Sequence, residues 1–248
     1  MITDLACCQA VFDRDPILYL DLTETVRRGD GRVLYASPTG ALVAYNDYDS
    51  DGKDTGFTLW AADEPTIQKI LLLLPPSPTF VIGHEPFYAE QLRRHLRVAE
   101  LSYCCQAAYL GSEPLPLPEP FPQIRCLGRE YLPLVRKNYD LASDEYLQWL
   151  MERGMLYGAF DGDVLTGFVG THAEGTIGLL EVLPAYRRRG IGAALQSFMT
   201  NLELSKGHVP YGQVFVDNYV SQALQRRLGF QFSAGQLFWA TGDTISPS

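Results

Sequence analysis

Hydrophobic and polar positions along the chain predict an α/β protein with a mixed sheet (α+β order). Apolar residues at spacing two indicate strands, and apolar residues three or four apart indicate helices. This pattern predicts strands over 32–36, 41–45, 57–60, 80–82, 101–107, 124–126, 156–160, 165–172, 214–216 and 237–240, and one that ends at 183. It predicts helices over 17–28, 65–73, 86–96 and 131–140, and helices that begin near 143, 191 and 218.

A proline-rich segment divides this pattern into two parts. Every second position from Pro114 to Pro122 is proline, which favours an extended and semi-rigid backbone. We therefore predict an N-terminal lobe over 1–111, a linker over 112–122 and a C-terminal lobe over 123–248.

The C-terminal part contains a pattern that is typical of an anion-binding turn. The apolar run 179–183 predicts a strand, and the basic, glycine-bearing sequence Arg187-Arg188-Arg189-Gly190-Ile191-Gly192 leads from it into a helix. The first residues of a helix have backbone N–H groups without acceptors and carry the positive end of the helix dipole. The two glycines let the backbone approach a ligand, so the segment predicts phosphate binding.

A second polar segment follows the next predicted strand. Val214-Phe215-Val216 is followed by Asp217-Asn218 and by a helix that ends at Gly229-Phe230. Asn218 therefore lies between a strand and a helix, as the basic turn does.

Together these segments resemble the acyl-CoA site of the GNAT N-acetyltransferase superfamily, whose signature Gln/Arg-x-x-Gly-x-Gly/Ala is matched at 187–192. The resemblance implies a GNAT acyl-CoA N-acyltransferase fold in the C-terminal half, with acetyl-CoA or another acyl-CoA as co-substrate. The N-terminal half has a similar element layout but no such loop, as in relatives of the glycine N-acyltransferases. We predict that it is a degenerate GNAT-like half.

The resemblance also implies roles for individual residues. The backbone from Arg188 to Ala193 would bind the pyrophosphate, and the arginines would add positive charge. The remaining contacts would come from the strand end and from the second turn. The implied cofactor-binding residues are Val182, Leu183, Arg187, Arg188, Arg189, Gly190, Ile191, Gly192, Ala193 and Asn218.

Proton transfer is where the sequence departs from the family. Many members have an acidic tyrosine seven residues after the asparagine, where this chain has Gln225, and some have a basic glutamate five residues before it, where this chain has Gln213. The nearest candidate for a catalytic base is Glu181. Burial of an unpaired carboxylate in an apolar strand is costly, so its presence there indicates a function or a partner. The alternative is a structural pair between Glu181 and an arginine of the loop.

Charge and composition indicate which partners and which compartment to expect. The net charge is −9, and residues 1–120 contain 9 Lys/Arg against 17 Asp/Glu, whereas residues 121–248 contain 11 against 12. Nucleic acid is therefore not expected as a partner. We expect neither a signal peptide nor a membrane-spanning segment, and the five cysteines show no metal or disulfide spacing. We predict a cytoplasmic protein, with a homodimer as an open possibility.

A calcium site is the one metal alternative. The segment 47–52 resembles the start of an EF-hand loop, but the twelfth position is Thr58 rather than glutamate. We therefore predict no metal.

The resemblance therefore implies an acetyl-CoA-dependent N-acyltransferase that acetylates a primary amine of a small molecule or peptide by direct attack. One alternative is a catalytically weak acyl-CoA-binding or regulatory module. Another is an amino-acid N-acyltransferase similar to the glycine N-acyltransferases. The acidic N-terminal lobe would complete the acceptor groove or would serve as a scaffold or dimerisation lobe.

Overall fold

The structure is a computed structural model that describes residues 4–47, 55–76, 78–98, 100–119 and 121–241. The α-helices are α1 (Gln9–Phe12), α2 (Leu20–Arg27), α3 (Glu64–Leu71), α4 (Ala89–Leu96), α5 (Leu132–Asn138), α6 (Asp144–Glu152), α7 (Ile191–Ser205) and α8 (Tyr219–Arg227). The strands are β1 (Gly31–Ser37), β2 (Gly40–Tyr45), β3 (Gly56–Ala61), β4 (Phe80–Gly83), β5 (Ser102–Ala108), β6 (Gln123–Cys126), β7 (Leu156–Asp161), β8 (Val164–Thr171), β9 (Ile177–Val182), β10 (Tyr211–Phe215), β11 (Gln231–Phe232) and β12 (Leu237–Thr241).

The hydrophobic pattern locates nearly all of these elements. Each predicted strand and helix has a counterpart within a few residues, and the mixed α/β fold class is confirmed. The pattern misses α1 and β11, which have four and two residues and are too short to show a period. Residues 48–52 of the EF-hand-like segment lie outside the described residues.

The strands form two sheets. The smaller sheet has the order β6-β7-β8-β9 and is antiparallel throughout. The larger sheet has eight strands in the order β1-β2-β3-β4-β12-β5-β10, and β11 also pairs with β5. In the larger sheet β3 and β4 are parallel, whereas β5 is antiparallel to β10, β11 and β12.

The larger sheet runs across the predicted linker. β5 precedes residues 112–122, but its three partners follow them, and β12 lies between β4 and β5. Removal of residues before the linker would leave β10 and β12 without their β5 partner. The lobe boundaries stay a prediction, and the element order could not show this exchange because it does not specify which strands pair.

A buried ion pair also joins the two halves. The Arg28 guanidinium, after α2, lies 2.9 Å from the carboxylate of Glu203 on α7, and the two side chains are 3% and 1% exposed. Arg28 also donates to the Val209 carbonyl at 3.0 Å. Burial raises the pKa of Glu203, but hydrogen bonds from Lys206 and His208 outweigh it and hold the pKa below its usual range. Glu203 is therefore a buried carboxylate with several donors.

Removal of this carboxylate should destabilise the whole protein. Glu203→Gln leaves the buried Arg28 with the longer Glu24 pair, whose Oε2 lies 3.5 Å from Arg28 Nε, and we expect a loss of about 3 kcal/mol in the free energy of unfolding. The control is Glu90→Gln, because Glu90 pairs with Arg93 on the surface with a side chain that is 58% exposed. Such a pair contributes less than about 1 kcal/mol. Urea unfolding of both variants measures the difference, and equal losses would contradict the assigned role of Glu203.

Candidate functional site

The basic turn between β9 and α7 has the backbone of an anion-binding loop. After a single 3-10 turn over Pro184–Tyr186, Arg188 and Gly190 have φ angles of 61° and 80°. Gly190 occupies the N-cap position of α7 and provides no side-chain cap. A positive φ is easily adopted by glycine but is costly for arginine. The turn thus uses glycine where the helix begins.

The first N–H groups of α7 point out of this turn. The first helical backbone bond runs from the Ala194 N–H to the Gly190 carbonyl at 3.0 Å. In the part of the chain that the structure describes, no backbone acceptor is found for the N–H groups of Ile191, Gly192 or Ala193. These donors and the exposed arginines before them form a site that suits a phosphate group.

β9 and β10 lie side by side without forming a ladder. A Cβ added at Gly212, in β10, would lie 2.6 Å from the Ile177 carbonyl oxygen, so the two strands meet where both begin. They belong to different sheets. Since α7 connects them, they form a β-α-β unit whose strands run in the same direction. The carboxyl ends of β9 and β10 therefore lie at the same end of the molecule.

The backbone of Val182 faces this unpaired side of β9. The Leu183 N–H donates to the Thr166 carbonyl of β8 at 2.9 Å. Successive residues of a strand point their backbone groups to opposite sides, so the N–H and carbonyl of Val182 point toward β10. The carbonyl accepts a 3.0 Å hydrogen bond from Arg187 Nε. The Val182 N–H is left as a donor directed into the gap.

A bulge in β9 sets the face of the sheet on which each of its last side chains lies. The β8–β9 register shifts between Phe168 and Gly170, and Leu179 has a φ of 52°. One extra residue in a strand exchanges the two faces beyond it. The bulge therefore fixes the faces of Glu181 and Val182, and Val182 Cγ2 lies 3.5 Å from a Cβ position at Gly192.

Glu181 forms an ion pair with the loop. Arg187 Nη2 lies 2.9 Å from Glu181 Oε1, and the side chains are 58% and 26% exposed. This ion pair is the structural alternative to a catalytic role that the sequence left open. The carboxylate is also close enough to Tyr139 to add to the increase in the tyrosine pKa, which burial causes first and Asp140 second. The catalytic role of Glu181 stays a prediction.

Asn218 has a defined structural role. Its Oδ1 accepts a 3.0 Å hydrogen bond from the Ser221 N–H and caps α8. This cap fixes the start of α8 after β10. A contact between Asn218 and a cofactor stays a prediction.

The two glutamines at the family's acid and base positions have no acid–base chemistry. Gln213 Nε2 donates to Gln106 Oε1 at 2.9 Å, and Gln213 Oε1 accepts from the Trp239 indole N–H. Gln225 is buried, and among the described residues its Oε1 has no hydrogen-bond partner. Both amides are neutral, so Glu181 remains the candidate base.

Gln213 belongs to a buried polar chain that the sequence did not suggest. Gln106 Nε2 lies 3.3 Å from Asp21 Oδ1, and Asp21 Oδ1 lies 2.8 Å from His84 Nε2. His84 Nδ1 lies 2.7 Å from the Leu59 carbonyl. Both ring nitrogens of His84 thus face an oxygen that can accept a hydrogen bond, an arrangement that favours the protonated ring. Burial lowers the pKa of His84, but the charge and hydrogen bond of Asp21 outweigh it and raise the pKa.

Comparison with protein families and solved structures gives consistent results. Residues 122–230 match the family model described as acetyltransferase (GNAT) family. A Drosophila protein structure is 16% identical with a TM-score of 0.65, covering 97% of this chain and 95% of that chain. A GNAT-family putative acetyltransferase from Novosphingobium aromaticivorans is 18% identical with a TM-score of 0.54, covering 90% and 94%. At these identities the structures show the fold.

A further solved structure also covers nearly the whole chain. A GCN5-related N-acetyltransferase-like protein from Streptococcus suis is 12% identical with a TM-score of 0.54, covering 96% of this chain and 100% of that chain. None of the curated proteins compared with the chain matches it.

Within the described ranges, no helix has the length and apolar character needed to cross a membrane. Across those same ranges, no cluster of three or more His, Cys, Asp or Glu is arranged to hold a metal ion.

Proposed function

Because residues 122–230 match the model of the acetyltransferase (GNAT) family, we propose that the chain is an acyl-CoA-dependent N-acyltransferase that acetylates a primary amine of a small molecule or peptide. The observation that supports this most is the unpaired N–H array at the start of α7, next to the gap between β9 and β10. In this proposal the array binds the pyrophosphate of acetyl-CoA. The gap receives the acyl and pantetheine part.

The Val182 N–H would stabilise the transition state. Attack of the amine nitrogen on the thioester carbonyl forms a C–N bond and places negative charge on the carbonyl oxygen. A fixed backbone donor aimed at that oxygen favours the charged state. The C–S bond then breaks, and the CoA sulfur leaves as a thiolate.

Proton transfer needs one base and no strong acid. The attacking ammonium must lose a proton before attack, and the amide nitrogen loses a second proton as the product forms. Glu181 is the carboxylate nearest to Val182 in the chain, and its ion pair with Arg187 lies at the strand end. A thiol has a pKa near 8.5, so the thiolate leaves without a tyrosine at position 225.

A second candidate function is an acyl-CoA-binding module with little turnover. It is favoured by the neutral Gln213 and Gln225 and by the pairing of Glu181 with Arg187. Release of free CoA from acetyl-CoA in the presence of primary amines separates the two functions. Amine-dependent release supports the transferase, and binding without release supports the module.

The cofactor site can be tested with two substitutions at one position. A Cβ at Gly192 would lie 3.5 Å from Val182 Cγ2 and 3.7 Å from Leu224 Cδ2, which are ordinary contacts. Gly192→Ala should therefore fold and still bind acetyl-CoA, whereas the larger side chain in Gly192→Val should press on Val182 and Leu224, shift the first turn of α7 and so weaken phosphate binding. At a concentration 100-fold above Kd, acetyl-CoA should stabilise the wild type by about 2.7 kcal/mol. Differential scanning calorimetry measures the loss of this stabilisation in Gly192→Val, and an undiminished shift would refute the site.

The role of Glu181 can be tested by kinetics. Glu181→Gln should lower kcat by roughly 10²–10⁴-fold, as expected for loss of a general base, and should leave the acetyl-CoA Kd nearly unchanged. Glu90→Gln removes a surface carboxylate on α4 and serves as the control. If kcat of Glu181→Gln stays within a few-fold of wild type across the pH range, Glu181 only holds Arg187.

A further inference from the structure

A cavity of about 360 Å³ opens at the carboxyl ends of β3 and β4. Its walls include the rings of Tyr19 and Trp60, whose centroids are 6.1 Å apart at 72°, and the exposed ring of Phe87. Trp60 is the next-to-last residue of β3, and Phe87 follows β4 by four residues. The volume lies within the range of sites that bind small molecules. We name this space the β3–β4 cavity.

The β3–β4 cavity is separated from the gap between β9 and β10 by most of the larger sheet. Three strands, β4, β12 and β5, lie between β3 and β10, so β3 and β10 are roughly 19 Å apart at about 4.8 Å per strand. β3 and β4 also run opposite to β10, so their carboxyl ends point toward the other end of the sheet. The cavity is therefore distinct from the proposed acyl site.

The helix start beside the β3–β4 cavity does not suit a phosphate. α3 begins two residues after Ala62, which lines the cavity. Asp63 caps α3 by accepting a 2.9 Å hydrogen bond from the Thr66 N–H. Glu64 and Pro65 follow, and they add a second carboxylate and a residue without an N–H group. The positive end of this helix dipole is already compensated, so α3 differs from α7 and favours a ligand without phosphate.

Two opposite charges line the β3–β4 cavity and surround the Tyr19 hydroxyl. Glu85 Oε1 accepts a 3.3 Å hydrogen bond from this hydroxyl, and Arg14 also lines the cavity. Burial is the largest cause of the raised pKa of Tyr19, Glu85 raises that pKa further, and Arg14 lowers it. Both charges are therefore close enough to act on the same hydroxyl. Among the residues that the structure describes, the Arg14 side chain has no hydrogen-bond or ion-pair partner.

The third charged group of the β3–β4 cavity is already bound by backbone N–H groups. Asp15 Oδ2 accepts from Ala234 at 2.8 Å and from Gly235 at 3.0 Å. Its Oδ1 accepts from the Leu18 N–H at 3.2 Å. Arg14 and Glu85 are thus the charges left to bind a ligand. Arginine binds carboxylates and a carboxylate binds ammonium groups, so a matching ligand carries both.

We infer that the β3–β4 cavity binds a free amino acid with an apolar side chain. The carboxylate of the ligand pairs with Arg14, its ammonium group pairs with Glu85, and its side chain packs on Trp60 and Phe87. Aromatic walls favour such a side chain, because its burial removes apolar surface from water. The inference goes beyond the proposed acyl transfer and does not depend on it, since the cavity shares no residue with the acyl-CoA site.

The direct test follows the indole signal of Trp60. The full chain has three tryptophans, so in protein labelled with ¹⁵N-tryptophan the signal that remains in both Trp149→Phe and Trp239→Phe belongs to Trp60. L-Phenylalanine should shift this signal until it saturates, while the signals of Trp149 and Trp239 stay in place. Absence of a saturable shift of the Trp60 signal would overturn the inference.

Two analogues test the requirement for both charges. 2-Phenylethylamine lacks the carboxylate of L-phenylalanine, and 3-phenylpropanoate lacks its ammonium group. Each should bind about tenfold more weakly than L-phenylalanine in the Trp60 titration, as expected for the loss of a hydrogen bond to a charged group. The same Kd for all three ligands would show that the cavity does not recognise a zwitterion.

Two substitutions assign each charge to its partner. Arg14→Gln should raise the Kd of L-phenylalanine about tenfold and leave that of 2-phenylethylamine unchanged. Glu85→Gln, which keeps an acceptor for the Tyr19 hydroxyl, should raise the Kd of L-phenylalanine by a similar factor and leave that of 3-phenylpropanoate unchanged. The matched control is Arg94→Gln, which removes an exposed arginine of α4 and should have no effect. A melting temperature for each variant shows that it is folded.

The outcomes that contradict this assignment are specific. Wild-type affinity for L-phenylalanine in both Arg14→Gln and Glu85→Gln would overturn it, and so would an equal loss in Arg94→Gln. Free CoA, which has no acyl group to transfer, should leave the Kd of L-phenylalanine unchanged. A Kd that rises in proportion to the CoA concentration would locate the amino acid at the acyl-CoA site and refute the β3–β4 cavity.

Discussion

The antiparallel pairing of β5 with strands from the second half of the chain is the constraint on which the rest of the structure depends. β5 binds β10 along one edge and β12 along the other. Because β10 is paired with β5, only its other edge faces β9, and that edge has no ladder. The open side of β9, with the Val182 N–H directed into it, therefore faces the free edge of a strand whose other edge is held by the N-terminal half. One partner of this pairing, β5, lies outside the family-matched segment, which begins at residue 122.

Buried polar groups reinforce this arrangement at two places. The Arg28–Glu203 pair links α2 to α7, and the chain from His84 through Asp21 and Gln106 reaches Gln213 on β10. Buried charges and amides are costly unless all of them are paired. Such groups therefore favour the one packing of the halves in which their partners meet. Both the nitrogen and the oxygen of the Gln213 amide are hydrogen-bonded to other side chains, to Gln106 and to Trp239. The proposed chemistry therefore depends on other residues.

Local features of the site could be predicted from the sequence, whereas its long-range contacts could not. The glycine at position 190 and the apolar spacing of α7 are local, and the turn has the predicted backbone. Asn218 is a local N-cap as well as a predicted cofactor contact, and only the cap is visible in the structure. The sequence left two roles open for Glu181, a catalytic base or a structural pair with a loop arginine. A strand residue and a loop residue six positions apart can pair only if the turn folds back, and the sequence does not show whether it does. Asp21, His84, Gln106 and Gln213 are far apart in sequence, and no periodic pattern marks side chains that meet through the exchange of strands.

A crystal structure of the full chain with acetyl-CoA would test the proposed site most directly. Pyrophosphate oxygens should lie about 2.7–3.2 Å from the N–H groups of residues 191–193, and the thioester carbonyl should accept a hydrogen bond from the Val182 N–H between β9 and β10. A cofactor bound elsewhere, for example at the carboxyl ends of β3 and β4, would contradict it. So would a cofactor at α7 whose acyl group points away from the gap.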